Sequence, residues 1–152
     1  MKPDEYLAPN FDLQSFLPYL LNQAAEATSQ SFQTVYRDAF GMTRTQWRVM
    51  ANLGKYGAMT AADICKITHI EKTKVSRGVQ ALQDKEFLIR QPVAADRRTE
   101  LLSLTKQGMT AFHELGERAA AYDQSLRRLL GSDASDALER VLRTLAKSQI
   151  GA

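Results

Sequence analysis

Apolar side chains recur every three or four residues along most of the chain, the spacing that stacks them on one face of an α-helix. Leu13, Phe16, Leu17, Leu20, Ala24, Ala27, Ser31 and Val35 follow it and predict a long first helix over residues 12–39, closed by Gly41. Leu21, Phe32 and Tyr36 widen the stripe past a single side, so this helix needs cover from more than one direction. Thr43 and Gln46 have capping-box spacing ahead of a second helix, residues 45–56, whose inward side would hold Trp47, Met50, Ala51 and Leu53. Thr60 with Asp63 repeats that spacing before a third helix, which runs to Thr68 with Ala61, Ile64, Cys65 and Thr68 in step.

A turn of His69, Ile70 and Glu71 leads to a fourth helix over residues 72–85, on which Val75, Val79 and Leu82 stack. Two short helices joined this tightly read as a helix-turn-helix. Residues 87–91 and 99–104 are strand-like, and Pro92, Val93, Ala94, Ala95, Asp96, Arg97 and Arg98 between them read as the tip of a hairpin, or wing. Met109, Phe112, Leu115, Ala119, Tyr122, Leu126 and Leu129 then predict a long helix from Thr105 to Gly131. A last helix over 135–148 would bury Leu138, Val141, Leu142 and Leu145. The expected fold is mainly α with a small β-hairpin wing. One protomer, residues 1–152, would carry a winged helix-turn-helix head at 42–108 and helical dimerisation regions at 1–41 and 109–152.

Charge sharpens this picture. The net charge over 152 residues is only +3, but residues 44–98 carry eleven Lys and Arg against five acids, while residues 1–43 are net acidic and 99–152 are balanced. A positive excess confined to the helix-turn-helix and wing points to a polyanion. Other classes recede. No apolar run approaches the length of a membrane span, and the opening MKPDEYLAPN lacks the apolar block of a secretory signal, so a cytoplasmic location without membrane contact is expected. Cys65 is the sole cysteine and cannot form an internal disulfide. There is no Gly-rich phosphate loop, no supported nucleophile and no metal-ligand spacing, so no catalytic residue, metal or cofactor is expected, and the chain reads as no enzyme.

With Val75, Val79 and Leu82 turned inward, Thr73, Arg77 and Gln80 face outward, with Lys74 and Ser76 beside them and Lys72 at the helix start. Such side chains suit phosphates and base edges in a major groove, which is wide enough to admit one helix. Charged helix positions are often merely solvated; the tight turn, the hairpin that follows and the paired arginines favour double-stranded DNA. Thr60, at the N-terminus of the third helix, stands where backbone N–H groups could meet a phosphate. Arg97 or Arg98 could enter a minor groove, with Asp96 orienting an arginine or capping the turn. Cys65 lies on an apolar stripe and reads as a buried structural thiol. His69 and His113 are too far apart in sequence to suggest a metal, and Trp47 reads as core.

The stretch DICKITHIEKTKVSRGVQALQDKEFLIRQPVAADRRTELLSLTKQG resembles the winged helix of the multiple-antibiotic-resistance regulator (MarR) family. TRTQWRV at 43–49 is similar to the start of that family's second helix, and Asp96-Arg97-Arg98 matches its wing signature. The resemblance implies a homodimeric transcriptional regulator, a repressor relieved by a small ligand, with Thr73, Lys74, Ser76 and Arg77 in the major groove and Arg97 in the minor groove. It also implies a small aromatic or anionic effector, with Tyr36, Arg37, Trp47, Arg48, Met50 and His113 as candidate lining. Two departures stand out: His69 and Glu86 occupy places where the family commonly has glycine. Apart from the resemblance, the wide apolar stripes of the terminal helices need a second copy, because a head of roughly 65 residues offers too little surface to cover them. Two-fold pairing would set two recognition helices roughly 34–36 Å apart on a pseudo-palindromic operator. Two alternatives remain: a bundle within one protomer, and a helical protein-interaction module that does not bind DNA.

Overall fold

The computed structural model describes residues 10–148, the side chain of Arg97 excepted. The chain divides into two compact units, one through Arg44 and one from Thr45. The helices after residue 108 fall in the same unit as the winged head.

In the first unit a single 3-10 turn, Leu13–Ser15, precedes helix α1, Leu17–Phe40. The helix starts later than residue 12 because Pro18 lacks an N–H and is suited to a first turn, not a helix interior. Asp12 closes the preceding turn by accepting from the Gln14 N–H and the Ser15 hydroxyl. Gly41, at φ 62°, ends α1 as expected. Only Phe32 and Tyr36 of α1 are buried, and their rings meet edge to face at 5.7 Å. Leu17, Leu20 and Leu21 stay exposed, Leu17 by 69%. Arg44 grips Glu26 with two 3.1 Å bonds.

The second unit is built around the head. Helices α2 (Arg44–Tyr56), α3 (Ala61–Thr68) and α4 (Lys72–Asp84) lead into antiparallel strands β1 (Leu88–Val93) and β2 (Asp96–Leu104). Helices α5 (Lys106–Leu130) and α6 (Ser132–Lys147) follow. Val49, Met50 and Leu53 of α2, Met59, Ile64 of α3, Val75, Val79 and Leu82 of α4, Phe87, Leu88, Leu102, and Ala111 and Leu115 of α5 are all buried. Met59 exchanges two backbone hydrogen bonds with Leu102, adding a one-residue bridge beside β2 that periodicity does not announce. Gly78 is buried in α4, where Cγ2 of Thr45 would lie 3.2 Å from an added Cβ, so the close helix packing expected there is present.

Several expectations are corrected. On α3 only Ile64 is buried; Cys65 is half-exposed, because a helix of 8 residues offers a narrow inward face and Ile64 fills it. Trp47 is likewise half-buried, and Val49 takes a place in the core of α2. The last helix begins at Ser132, not residue 135, with Gly131 breaking the chain and Asp133 favourably placed in its first turn. Its apolar face is not buried within the chain: Leu138, Val141, Leu142 and Leu145 are 43%, 53%, 44% and 37% exposed. One ion pair, Arg127 with Glu139, joins α5 to α6, and each partner has a second pair within its own helix. Arg127 bonds Asp123 and Glu139 at 2.8 Å each, and Arg143 bonds Glu139 at 2.7 Å. Arg143 and Arg127 hold the Glu139 carboxyl below the usual carboxylate range.

His69 and Glu86 both adopt left-handed backbone, at φ 57° and φ 64°. Glu86 is the turning residue of a Schellman closure of α4, in which its N–H bonds Gln83 O and the N–H of Phe87 bonds Leu82 O. Leu82 and Phe87 are both buried, the apolar pair that usually accompanies this closure. A side chain at positive φ costs about 1 kcal/mol that glycine avoids. Replacing His69 or Glu86 by glycine is expected to stabilise the fold by about 0.5–1 kcal/mol each, and both in an additive way, measured by urea unfolding. No gain in either variant would show that neighbouring contacts already compensate the strain.

Candidate nucleic-acid interface

Helix α4 is positioned from beneath. Val75, Val79 and Leu82 are buried in the head, with exposures of 0%, 1% and 0%, which fixes its rotation and turns Lys72, Thr73, Lys74, Ser76 and Arg77 outward, all exposed. None of these five side chains has a hydrogen bond or ion pair with another described residue. A row of unpaired cations and hydroxyls on the first half of one helix is free to meet an external polyanion.

Gln80, the sixth outward residue, is differently placed. Its amide nitrogen donates to Asp84 Oδ1 at 2.9 Å and its oxygen accepts from Arg90 Nη2 at 3.1 Å. Arg90, on β1, was not singled out by the sequence pattern. It also donates to Gln83 Oε1 at 2.8 Å and Glu100 Oε2 at 3.3 Å. No local signal marks it, since its partners lie on α4 and on the far strand.

Thr60 caps α3 as expected. Its hydroxyl accepts from the Asp63 N–H, and its own N–H donates to the Asp63 carboxylate, both at 3.1 Å. These bonds hold the Asp63 carboxyl below the usual carboxylate range. The cap is therefore intact at neutral pH and lost only as the pH falls through that lowered value. The Asp63 carboxylate thus occupies the start of this helix.

The wing departs from expectation at its tip. Strand β1 runs on to Val93 and β2 begins at Asp96, leaving only Ala94 and Ala95 as the turn. Asp96, Arg97 and Arg98 thus belong to a strand. Pro92 pairs with Glu100 and Val93 with Asp96, so residues 97–99 form a bulge opposite that step. Leu102 turns its N–H and C=O away from β1 to Met59, so Arg90 opposite it and Pro92 two residues on are non-hydrogen-bonded positions, and Pro92 is tolerated because its nitrogen faces the open edge. Asp96 closes the bulge by accepting from the Arg98 N–H at 2.9 Å and the Thr99 hydroxyl at 3.0 Å, which is the turn-capping role. Arg98 is exposed; the side chain of Arg97 lies outside the described residues.

The candidate effector residues are spread over both units. Tyr36 is buried and Arg37, exposed, pairs with Asp38 at 3.3 Å in the first. In the second, Trp47 is half-buried, Arg48 exposed, Met50 fully buried, and His113 exposed with its ring 5.4 Å from that of Phe112. Among the described residues no group of three or more His, Cys, Asp or Glu could hold a metal, and no helix is long and apolar enough to cross a membrane.

Residues 40–99 match the family model described as the MarR family. The chain is 26% identical over 127 residues to the HTH-type transcriptional regulator FarR of Neisseria gonorrhoeae, covering 84% of this chain and 86% of that protein. Among solved structures it is similar to Bordetella bronchiseptica BpsR, whose DNA binding is regulated by 6-hydroxynicotinic acid, with 25% identity and a TM-score of 0.81 over 91% of this chain and 99% of that one. It is also similar to the transcriptional repressor CouR bound to a 23-mer DNA duplex, with 25% identity and a TM-score of 0.80 over 89% and 95% of the two chains.

Proposed function

We propose that this chain is a DNA-binding transcriptional regulator of the MarR family, whose model its residues 40–99 match, and that it acts as a homodimeric repressor reading a pseudo-palindromic operator. The observation that carries this reading is the face of α4, where five polar or cationic side chains stand exposed and unpaired over a fully buried apolar back. Thr73, Lys74, Ser76 and Arg77 enter the major groove, Lys72 meets the flanking phosphates, and the bulged strand delivers Arg97 or Arg98 to the adjacent minor groove. Asp96 fixes the backbone of that bulge and stays off the DNA. The exposed apolar faces of α1 and α6 are covered by a second copy, which supplies the other half-site. Such a protein acts in the cytoplasm, beside the chromosome.

A small aromatic acid relieves repression by favouring a head spacing that no longer fits the operator. BpsR, which answers to 6-hydroxynicotinic acid, supports that chemistry. Titrating aromatic carboxylates against the protein–DNA complex and following DNA release tests it.

DNA binding is tested by selecting duplexes from genomic fragments and measuring affinity by fluorescence anisotropy across salt concentrations. Each neutralised phosphate is expected to contribute about −0.9 to the slope of log K against log salt. Arg77→Ala is expected to lose about 1–3 kcal/mol of operator affinity and to relax sequence preference at the base pair it reads. Affinity unchanged in this variant would remove Arg77 from the interface.

A further inference from the structure

We propose that Arg90 is the positioning residue that fixes the angle between the wing and helix α4, and so the spacing between the two groove-reading elements. The inference rests on the DNA-binding reading above and extends it. A two-stranded ribbon has little stability of its own and takes its direction from whatever holds it. At its base the ribbon is anchored by apolar packing, with Leu88 and Leu102 buried. Towards the tip that anchorage ends: Gln91, Pro92, Ala94 and Ala95 are exposed and Val93 is only half-buried.

Arg90 stands between these two stretches. Its three guanidinium nitrogens donate in three directions, Nε to Gln83 at 2.8 Å, Nη2 to Gln80 at 3.1 Å and Nη1 to Glu100 at 3.3 Å. Gln80 and Gln83 are one turn apart on α4, and Glu100 lies on β2, so one planar group joins the helix to both strands. Gln80 is itself held by Asp84. The Arg90 side chain is 29% exposed, and bonds made in such partly dehydrated surroundings hold geometry better than fully solvated ones. Beyond this clamp the hairpin is a lever: a small rotation at Arg90 becomes a larger displacement of the arginines near the tip. Gln80, by this reading, orients the clamp and does not read bases.

Lysine in place of Arg90 keeps the charge and the stem but cannot make three divergent planar bonds. The full chain carrying Arg90→Lys, and separately Gln83→Ala, is compared with wild type on a selected duplex and on a random duplex, together with thermal unfolding. Expected for Arg90→Lys is about a tenfold loss on the selected duplex, little change on the random one, an unaltered salt slope and an unaltered melting temperature. Gln83→Ala, at an exposed position, should lose affinity in the same sense, and its effect should vanish in the Arg90→Lys background. Wild-type affinity for the selected duplex in Arg90→Lys would overturn the proposal, because charge alone would then suffice. Equal losses on both duplexes with a salt slope smaller by about 0.9 would also overturn it, making Arg90 a direct phosphate contact. A wild-type protein that binds no duplex would instead remove the DNA-binding reading itself.

Discussion

Replacing Val141 and Leu142 together by aspartate is expected to make the protein monomeric and to reduce operator binding to the level of non-specific DNA, with the winged head still folded. The two residues lie at the centre of the α6 stripe, between Leu138 and Leu145, and are 53% and 44% exposed in the single chain. Neither contributes to the core of the head, whose buried side chains come from α2 to α5 and the hairpin. If a second copy covers this stripe, two-fold symmetry places both substitutions in the interface twice. Each unpaired carboxylate removed from water then costs several kcal/mol, a total beyond what an ordinary interface can absorb. A monomer can engage one half-site only, so operator affinity should fall by about 10³-fold or more, towards its non-specific value. Sedimentation equilibrium reports the assembly, anisotropy the affinity, and near-UV circular dichroism the head. A variant that remains dimeric would show that α6 faces solvent in the assembled protein and that the two copies meet elsewhere.

How much of this was legible in the sequence depends on how local the cause was. Helix α4 was readable because Val75, Val79 and Leu82 are spaced for one face and the core accepts all three. The α3 cap was readable because a capping box lies within four consecutive residues, Thr60 to Asp63. The resemblance to the MarR family, and not the chain's own pattern, marks residues 69 and 86 as departures from glycine, and both sit at positive φ. The pattern marks the wing but makes its tip too long: Pro92 reads as a strand breaker, yet its nitrogen faces the open edge of the ribbon, where no ladder bond is needed. Arg90 and the Met59 bridge were out of reach because both depend on partners far along the chain, Gln83 and Gln80 on one side and Leu102 on the other. The α6 stripe was recognised as apolar, yet a pattern states only that a face needs cover and not whether its own chain supplies it.

Two glycines in α5 are expected to answer an alanine with opposite signs. Gly116 has nothing within 4 Å of an added Cβ. Gly116→Ala should therefore show the plain helix-propensity gain of about 1 kcal/mol. Gly108, in the first turn of the same helix, is buried against the backbone of Phe87, whose carbonyl oxygen an added Cβ would overlap and whose carbonyl carbon would lie 2.9 Å away. The obstacle is main chain and cannot rotate aside as a side-chain tip can. Relief would require lifting the first turn of α5, and that turn is clamped to the same corner. The Thr105 N–H donates to Phe87 O at 3.0 Å, the Thr105 hydroxyl donates to Glu86 O at 2.6 Å, and the same hydroxyl caps the helix by accepting from the Gly108 N–H at 3.0 Å. Overpacking costs about 1–3 kcal/mol and each strained or broken bond about 1 kcal/mol more, against a propensity gain of about 1 kcal/mol. Gly108→Ala should be destabilised by about 2–4 kcal/mol, with unfolding by urea shifted to lower midpoint at unchanged slope. Because the clamp also closes the corner after α4, this variant should lose operator binding in proportion to the fraction unfolded, and binding should return on cooling. Wild-type stability in Gly108→Ala would mean that α5 does not rest on the Phe87 backbone and that this corner is held by Thr105 alone.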